Sequence, residues 1–363
     1  MKLFRTYLTD GRQAQPALAN RTSKRDLAFR QLLMAGVFCL ALATLMVQVA
    51  QATSQGLAGL SSDPDRLLQS VVKVNSTVVP DGRTVAYLGD TRTGSGVILD
   101  EQTVLTIGYL ILEADEVELT SASGRKFPAS VLAYDHATGF GLVRSALPLD
   151  GQPMTFGESN SIDESEYLLS LDPHDKKATE VVVVSTRPFS GSWEYLLERA
   201  LFTFPPIPNW SGAALTNKRG ELVGIGSLMV DDAAQASPKV AGNMFVPTDL
   251  IKPILADLRE RGKRAVAPQP WLGLSTEMLG DELVAVRVSE DGPAALAGLA
   301  PGDKILAVAD KPVQNQRDFY RQLWQVGDAG VQVKLTVSRD GFNRDFSVKS
   351  DDRMRYLKRP QGI

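Results

Sequence analysis

Hydrophobic and β-branched residues occur in short runs after residue 66, and turn-forming residues separate these runs. A first set of runs lies at Val71–Val74, Thr84–Tyr87, Gly96–Leu99 and Glu116–Leu119. A second set lies at Tyr167–Leu171, Glu180–Ser185, Glu221–Ile225 and Met244–Val246. Short runs separated by turn residues are typical of antiparallel strands. The first set therefore predicts an antiparallel β-barrel, and the second set predicts another of the same kind.

One helical pattern follows the second set. The segment after Val246 predicts a helix that runs to about Arg261, with Thr248 or Asp249 as its N-cap. Two prolines then mark residues 263–270 as a short linker before a different module.

The N-terminal residues do not show these short runs, because a basic segment is followed there by a long apolar one. Residues 1–30 carry seven Lys or Arg against two Asp, and no charged residue occurs from Gln31 to Ser62. Residues 31–52 are long and apolar enough to span a bilayer, and the basic flank places residues 1–30 in the cytoplasm. The alternative is a signal peptide cleaved after Ala50-Gln51-Ala52. Residues 53–66 are a linker in either case.

Composition excludes several classes of protein. The hydrophobic content of 44%, the charged content of 22% and the net charge of −3 argue against disorder and against a nucleic-acid partner. Cys39 is the only cysteine, which excludes an intrachain disulfide and a Cys-x-x-Cys metal site. No phosphate-binding loop or His-Glu-x-x-His helix is present, so we expect no cofactor and no metal.

Three motifs indicate a family. Asn209–Leu215 resembles the nucleophile turn of a trypsin-like serine protease, with Ser211 at the nucleophile position. Gly94–Leu99, followed by Val104–Ile111, is similar to the G-S-G-V-I and L-T-N-N-H-V-V segments of the bacterial HtrA/Deg proteases. Asp135–Val143 resembles the family's D-P-x-T-D-L-A-V-L. The resemblance implies a trypsin-like double β-barrel.

The same motifs place other residues where the family has its base and acid. Tyr109 stands at the histidine position and Gly139 at the position of the aspartate that orients the histidine. Asp135 matches the preceding turn aspartate and not the triad acid. A tyrosine with a pKa near 10 stays protonated at neutral pH, so it cannot replace imidazole as a general base. The resemblance therefore implies a degenerate triad, in which Ser211 is a remnant and no catalytic residue is expected.

Three other residues are candidates to replace the missing base. His136 and His174 are the only histidines, and we interpret both as surface-loop residues. Lys218 lies in the predicted hairpin turn 216–220, where a solvated lysine keeps its proton. Changes beside the serine, including Trp210 and Ala213, also depart from the family's G-N-S-G-G-P-L turn.

The last module resembles a PDZ domain. Gly292–Leu306 is close to the PDZ pattern of a helix end, a Gly-Asp turn and a strand, and Arg317–Gln325 predicts the helix beside the peptide groove. The resemblance implies a carboxylate-binding loop and an apolar groove wall, formed by Trp271, Leu272, Gly273, Leu274, Phe319 and Leu323. Such a loop holds a chain terminus through backbone N–H groups, while the next strand edge pairs with the bound peptide. A groove that is occluded by the protein itself is the alternative.

These expectations define the domain organisation. The predicted parts are a cytoplasmic basic N-terminus (1–30), a transmembrane anchor or signal peptide (31–52), a linker (53–66), a trypsin-like protease or pseudoprotease domain (67–262), a linker (263–270), a PDZ domain (271–350) and a solvated basic tail (351–363). With the resemblance, this organisation predicts a single-pass protein of the bacterial inner membrane whose bulk is periplasmic.

The predicted function is a pseudoprotease that binds protein or peptide C-termini, as a scaffold or as an accessory subunit of a membrane complex. Two other functions stay open, an active endopeptidase with a rearranged relay and a chaperone-like binder of unfolded chains. A homo-oligomer is also left open.

Overall fold

Two closed six-stranded β-barrels and a separate antiparallel sheet make up residues 62–360, the part of the chain that this computed structural model describes. They follow one another along the chain and belong to one compact unit. The expected mainly-β architecture, a trypsin-like double barrel followed by a PDZ domain, is confirmed.

The first barrel closes in the order β1-β2-β3-β6-β5-β4. Its strands are β1 (Val71–Val78), β2 (Thr91–Ile98), β3 (Thr103–Ile107), β4 (Ala114–Thr120), β5 (Lys126–Tyr134) and β6 (Phe140–Ser145). Every residue of β3 is buried, so both faces of this strand are covered by other parts of the protein. A short 3₁₀ turn, Gly108–Leu110, follows β3 and carries Tyr109.

The second barrel closes in the order β10-β11-β12-β9-β8-β7. Its strands are β7 (Tyr167–Asp172), β8 (Lys177–Gly191), β9 (Tyr195–Phe204), β10 (Ala214–Thr216), β11 (Leu222–Val230) and β12 (Gly242–Pro247). The longest of them, β8, pairs with β9 from Val182 with Phe204 to Gly191 with Tyr195. The tight turn that joins these two strands is important for the site described below.

The third sheet has the order β13-β14-β15-β17-β18, with β16 paired to β15. Its strands are β13 (Leu274–Leu279), β14 (Glu282–Val288), β15 (Lys304–Val308), β16 (Lys311–Pro312), β17 (Gln332–Arg339) and β18 (Phe342–Lys349). The predicted groove helix is confirmed, and Phe319 and Leu323 are both fully buried on its inner face.

Six short α-helices lie before, between or after these strands within residues 62–360. They are α1 (Pro64–Leu68), α2 (Val85–Leu88), α3 (Leu255–Arg261), α4 (Pro293–Leu296), α5 (Gln316–Gln325) and α6 (Arg353–Tyr356).

Two predicted elements differ from the structure. The run Thr84–Tyr87 is not a strand, since Val85–Leu88 forms a single helical turn that ends at Gly89, where φ is 80°. The buried carboxylate of Glu113 accepts hydrogen bonds from the backbone N–H and the hydroxyl of Thr84, which fixes this turn.

The predicted helix from Thr248 to Arg261 is interrupted. Thr248–Leu250 forms a 3₁₀ turn, and the α-helix begins only at Leu255. Pro253 explains the interruption, because proline lacks an N–H and disfavours helical geometry in the residue before it. Neither predicted N-cap caps that helix. Thr248 Oγ1 donates to Leu222 O, and the Asp249 carboxylate accepts from the Asn160 N–H and pairs with Lys252.

The expected solvated basic tail is wrong for residues 351–360, because they pack against the protein. Asp351 and Trp271 exchange two backbone hydrogen bonds, of 2.9 and 3.0 Å. Arg353 is 8% exposed, and the Lys358 N–H donates to the Glu113 carboxylate at 2.7 Å. The tail therefore ties the PDZ domain to the first barrel.

The predicted membrane segment, residues 31–52, lies outside the described residues. Between residues 62 and 360, no helix has the length and apolar character that a membrane span requires.

Candidate functional site

The predicted nucleophile turn lies between the two barrels. Ser211 O accepts a hydrogen bond of 2.7 Å from the N–H of Ser95 on β2. Gly212 has a φ of 74°, and a Cβ there would lie 1.9 Å from the carbonyl oxygen of Ser95. Only glycine can occupy position 212 at this distance, so the backbone of β2 is in direct contact with the turn.

The hydroxyl group of Ser211 is buried and has no hydrogen-bond partner among residues 62–360. The backbone of β2 covers it, since a Cβ added at Gly94 would be 3.0 Å from Ser211 Oγ. A nucleophile must reach the substrate carbonyl and must also pass its proton to a base. The Ser211 hydroxyl meets neither requirement in this arrangement.

Tyr109 occupies the predicted base position beside Ser211. Its hydroxyl donates a hydrogen bond of 2.8 Å to the backbone carbonyl of Ser227. Burial raises the pKa of Tyr109 to about 12, although the side chains of Ser211 and Trp210 lie close enough to act as hydrogen-bonding groups that oppose the shift. The Ser211 hydroxyl nevertheless makes no hydrogen bond of normal distance and angle to the phenol, which donates to Ser227 instead. The phenol therefore keeps its proton and directs it away from the serine, so it cannot act as a base.

Gly139 lies at the predicted acid position, next to the turn that carries Tyr109. The Gly108 N–H donates to Gly139 O at 2.7 Å. Gly139 has a φ of 78°, and a Cβ there would be 3.0 Å from the hydroxyl oxygen of Tyr195. Tyr195 is buried, and its hydroxyl donates to Thr138 O at 2.6 Å. A tyrosine from the second barrel thus fills the space into which a side chain at residue 139 would extend.

Asp135 has a structural role in its turn. Its carboxylate accepts hydrogen bonds from the Thr138 N–H at 2.9 Å and from Arg264 Nη2 at 2.6 Å. All of these contacts hold the turn, as expected for the residue that precedes the acid position.

Neither histidine is positioned as a base for Ser211. His174 Nε2 lies 2.9 Å from Gly94 O, and a carbonyl only accepts hydrogen bonds, so Nε2 carries the proton. Asp172, which could orient the ring, instead accepts from the backbone N–H of His174 and from the Asn209 amide.

His136 is half-buried and packed against the C-terminal segment, so it is not the solvated surface-loop residue that the sequence predicts. The guanidinium of Arg353 donates to His136 Nδ1 at 2.9 Å, and Tyr134 lies 3.1 Å from the same atom. Burial, with the Arg353 charge, holds the pKa of His136 well below its ordinary value. The imidazole stays neutral and supports the packing of the C-terminal segment.

Lys218 lies between β10 and β11, in the turn where it was predicted. Its positive charge acts on Glu180, whose pKa is raised by burial and lowered in part by this lysine. Within residues 62–360, no group of three or more His, Cys, Asp or Glu side chains is arranged to hold a metal ion.

Trp271–Leu274, the segment predicted to be the PDZ carboxylate-binding loop, leads into β13. Gly273 has a φ of 79°, which turns the loop so that the N–H groups of Leu272, Gly273 and Leu274 converge on one point. Trp271 is 6% exposed and packs against Tyr356 with a ring-centroid distance of 4.7 Å.

A carboxylate of the same chain occupies this loop. The side chain of Glu194 accepts hydrogen bonds from the N–H groups of Leu272 at 3.0 Å, Gly273 at 2.7 Å and Leu274 at 2.9 Å. Glu194 is 2% exposed and lies in the turn between β8 and β9. Burial raises its pKa to about 7, while the three N–H groups and Arg353 oppose the shift.

The rest of this turn follows the groove between β13 and α5. The Thr276 N–H of β13 donates to Ser192 O at 3.1 Å. Tyr320 of α5 donates its hydroxyl to Gly191 O at 2.7 Å and accepts from the Glu194 N–H at 3.2 Å. Leu196 is buried in the apolar cluster of the PDZ domain, which includes Phe319 and Leu323.

Sequence profiles of two domain families match this chain. The trypsin-like peptidase domain matches residues 94–225, and the PDZ domain matches residues 270–350. The serine protease Do-like HtrA of Lactobacillus helveticus is 24% identical over 327 residues, which cover 80% of this chain and 75% of the relative. The periplasmic serine endoprotease DegP of Escherichia coli K12 is 26% identical over 267 residues, which cover 68% of this chain and 54% of the relative.

This chain is an HtrA-like protein. It spans about half the length of several curated relatives that it matches. The HtrA-type protease AlgW, solved with a decapeptide, has a TM-score of 0.50 with this HtrA-like chain at 21% identity. That alignment covers 82% of this chain and all of the AlgW chain, and it shows a shared fold.

The sequence of this HtrA-like chain did not reveal which residues occupy the acid position at Gly139 and the loop at Leu272–Leu274. Glu194, Tyr195 and Leu196 are three consecutive residues, and none of them belongs to a protease or PDZ motif. The only local signal is a glutamate between aromatic residues at the end of a β run, in Trp193-Glu194-Tyr195. Its partner loop is 78 residues further along the chain, so only the fold reveals the pairing.

Proposed function

We propose that this HtrA-like chain is a pseudoprotease that binds protein partners through its PDZ domain and does not cleave them. One observation carries the proposal. The residue at the base position, Tyr109, donates its proton to the Ser227 carbonyl, while the hydroxyl of Ser211 stays buried and without a hydrogen-bond partner among residues 62–360.

The chemistry of acyl transfer explains why this observation supports the proposal. A serine hydroxyl attacks a peptide carbonyl only when a base removes its proton during the attack. The Tyr109 phenol is a much weaker base than imidazole, and its burial makes ionisation still less favourable. The acid position offers no replacement, because Gly139 has no side chain and Tyr195 fills the space beside it.

The PDZ domain supports the binding part of the proposal. Three backbone N–H groups converge in a loop that already holds a carboxylate, which is the group that a peptide C-terminus presents. The AlgW structure with a decapeptide belongs to a protein with the same fold. We infer that the partners of this chain are proteins or peptides with a free C-terminus, and that the chain acts as a scaffold or an accessory subunit of a membrane complex.

The second candidate function is that of an active serine endopeptidase. It is favoured by the retained serine in the nucleophile turn and by the relatives that are named serine endoproteases. This function requires β2 to withdraw from Ser211 and a base to approach the hydroxyl. His174, whose Nε2 lies 2.9 Å from the carbonyl oxygen of Gly94 on β2, is the candidate base for such a rearranged relay.

We also propose that residues 31–52 anchor the chain in the inner membrane, with residues 1–30 in the cytoplasm and the barrels and PDZ domain in the periplasm. The uncharged stretch from Gln31 to Ser62 supports an anchor, and the Escherichia coli relative, which is named a periplasmic serine endoprotease, supports the compartment. Carbonate washing of membranes should leave the chain in the pellet, with residues before Ala52 still attached. A mature protein that begins at Thr53 and is released by the wash would replace the anchor with a cleaved signal peptide.

Cleavage of casein tests the proposed function. The full-length chain and its Ser211→Ala variant should be equally inactive, because the hydroxyl contributes nothing to the reaction. Casein cleavage that the wild-type chain supports and Ser211→Ala abolishes would establish the active endopeptidase instead.

A further inference from the structure

The turn between β8 and β9 reproduces the contacts of a bound peptide within one chain. A PDZ ligand presents a carboxylate to the loop, an apolar side chain to the pocket and backbone groups to the strand edge. Glu194 supplies the carboxylate, Leu196 supplies the apolar side chain, and Ser192 O accepts from the strand-edge N–H of Thr276.

The turn and the start of β9 explain how three consecutive residues reach two different sites. Glu194 lies in the turn with a φ of 59°, which directs its side chain into the loop, and β9 begins at Tyr195. Tyr195 and Leu196 are neighbours on an extended strand, so their side chains point to opposite faces. Glu194 and Leu196 enter the PDZ domain, whereas Tyr195 packs against Gly139 in the first barrel. Residues 194–196 therefore occupy both the peptide groove and the space beside Gly139.

We propose that Gly191–Leu196 is an internal ligand of the PDZ groove, and that a partner C-terminus binds only by displacing Glu194 from the carboxylate-binding loop. This inference rests on the proposed function, since it assigns a regulatory state to the same groove.

Displacement has a quantitative consequence. The internal ligand is covalently attached, so its effective concentration is high and independent of protein concentration. The apparent dissociation constant of a partner equals its intrinsic constant divided by the fraction of molecules in which the groove is open. Removal of the Glu194 carboxylate increases the open fraction, and it should tighten partner binding by the same factor.

The exposed ion pair between Glu198 and Arg321 provides a matched control. It also joins β9 to α5, with a distance of 2.9 Å between Arg321 Nε and Glu198 Oε1, but Glu198 does not enter the loop. Both of its side chains are about half exposed, so the pair contributes little to holding the turn. Glu198→Ala therefore removes a carboxylate from the same strand without opening the groove.

Hydrogen exchange in the full-length chain measures the occupancy of the loop without any ligand. In Glu194→Ala the amides of Gly273 and Leu274 should exchange at least about 10-fold faster than in the wild type, while Glu198→Ala should leave them unchanged. The amides of β3 should keep their protection in every variant, which establishes that the first barrel remains folded. Glu194→Gln keeps the shape of the side chain and should give an intermediate rate. Unchanged protection of Gly273 and Leu274 in Glu194→Ala would overturn the inference.

Peptide binding then separates this inference from the proposed function. The probes are fluorescent decapeptide pools of degenerate sequence with a fixed apolar last residue, prepared as free acids and as C-terminal amides. Glu194→Ala should bind the free acids at least about 10-fold more tightly than the wild type, and neither protein should bind the amides. Equal affinity of the two proteins for the free acids would overturn displacement. Faster exchange in Glu194→Ala with no binding of any free acid would support the internal ligand and would contradict partner capture by the groove.

Discussion

The hydroxyl oxygen of Tyr195 lies 3.0 Å from the position that a Cβ at Gly139 would take. This contact joins the second barrel to the predicted acid position of the first barrel, and it leaves little room for a side chain at residue 139. The hydroxyl of Tyr195 also donates to Thr138 O at 2.6 Å, so the tyrosine cannot move away without losing a buried hydrogen bond.

Restoration of the acid should therefore destabilise the fold. Gly139→Asp adds a side chain at a φ of 78° and against Tyr195, whereas Gly124→Asp adds the same side chain at a φ of 90° with no atom within 4 Å. We expect Gly139→Asp to lower the free energy of unfolding by about 1 to 3 kcal/mol more than Gly124→Asp does. Urea denaturation measures both values, and equal losses in the two variants would contradict the role assigned to Tyr195.

Restoration of the base together with the acid should also fail to create a protease. Tyr109→His combined with Gly139→Asp leaves the backbone of β2 over Ser211 Oγ and leaves Tyr195 beside residue 139. We expect casein cleavage by this double variant to equal that of the same variant with Ser211→Ala added. Serine-dependent cleavage in the double variant would show that the two side chains alone account for the loss.

Arg353 should be far more important for stability than its neighbour in the same helical turn. Its guanidinium donates to His136 Nδ1 at 2.9 Å and to Trp193 O at 3.2 Å, and the residue is 8% exposed. Arg355 has a side chain that is 77% exposed. Arg353→Ala should lower the free energy of unfolding by roughly 2 to 3 kcal/mol, because it leaves buried acceptors without a donor, and Arg355→Ala by less than about 0.5 kcal/mol. Similar values for the two variants would mean that the tail is not docked on the barrels.

The protonation of Glu194 should make stability depend on pH in a defined direction. Its pKa rises from 4.5 to about 7 in the folded chain, because burial outweighs the N–H groups of the loop and the charge of Arg353. Tyr320 also faces the carboxylate and stays protonated over this range, since burial raises its pKa as well. The folded state thus holds a proton that the unfolded state releases between pH 4.5 and about 7. The stability that this proton contributes is complete below that window and is lost as the pH rises through it.

Glu194→Gln isolates this effect, because glutamine does not titrate. The difference in unfolding free energy, wild type minus Glu194→Gln, should fall by up to roughly 3 kcal/mol between about pH 5 and about pH 8. Urea denaturation at the two pH values measures it, with Glu198→Gln as the control that should show no comparable change. A difference that is constant, or that increases with pH, would contradict the buried position of the carboxylate.

The sequence predicted the scaffold better than it predicted the state of the two sites. Strand runs such as Glu180–Ser185 and the apolar face of the groove helix depend on local periodicity, so they could be identified without a structure. The run Thr84–Tyr87 was misassigned because a distant side chain, Glu113, decides its conformation. The interruption before Leu255 had a local signal in Pro253.

The motifs place Tyr109 and Gly139 at the predicted base and acid positions, but they do not reveal which groups contact these residues. Tyr109 was identified from its place after β3, whereas its contact with Ser227 joins residues 118 positions apart. The occupancy of the carboxylate-binding loop by Glu194 depends on how the PDZ domain sits against the β8–β9 turn. Neither relationship leaves a pattern in the neighbouring sequence, so both required the fold.

The most direct test of the account asks whether Ser211 is a nucleophile. The full-length chain would be incubated with a fluorophosphonate probe, which forms a covalent bond with an activated serine, and its intact mass would then be measured. Because the Ser211 hydroxyl is buried and has no base, we predict no adduct, the same result as for Ser211→Ala. An adduct that forms on the wild-type chain and is absent from Ser211→Ala would contradict the central claim.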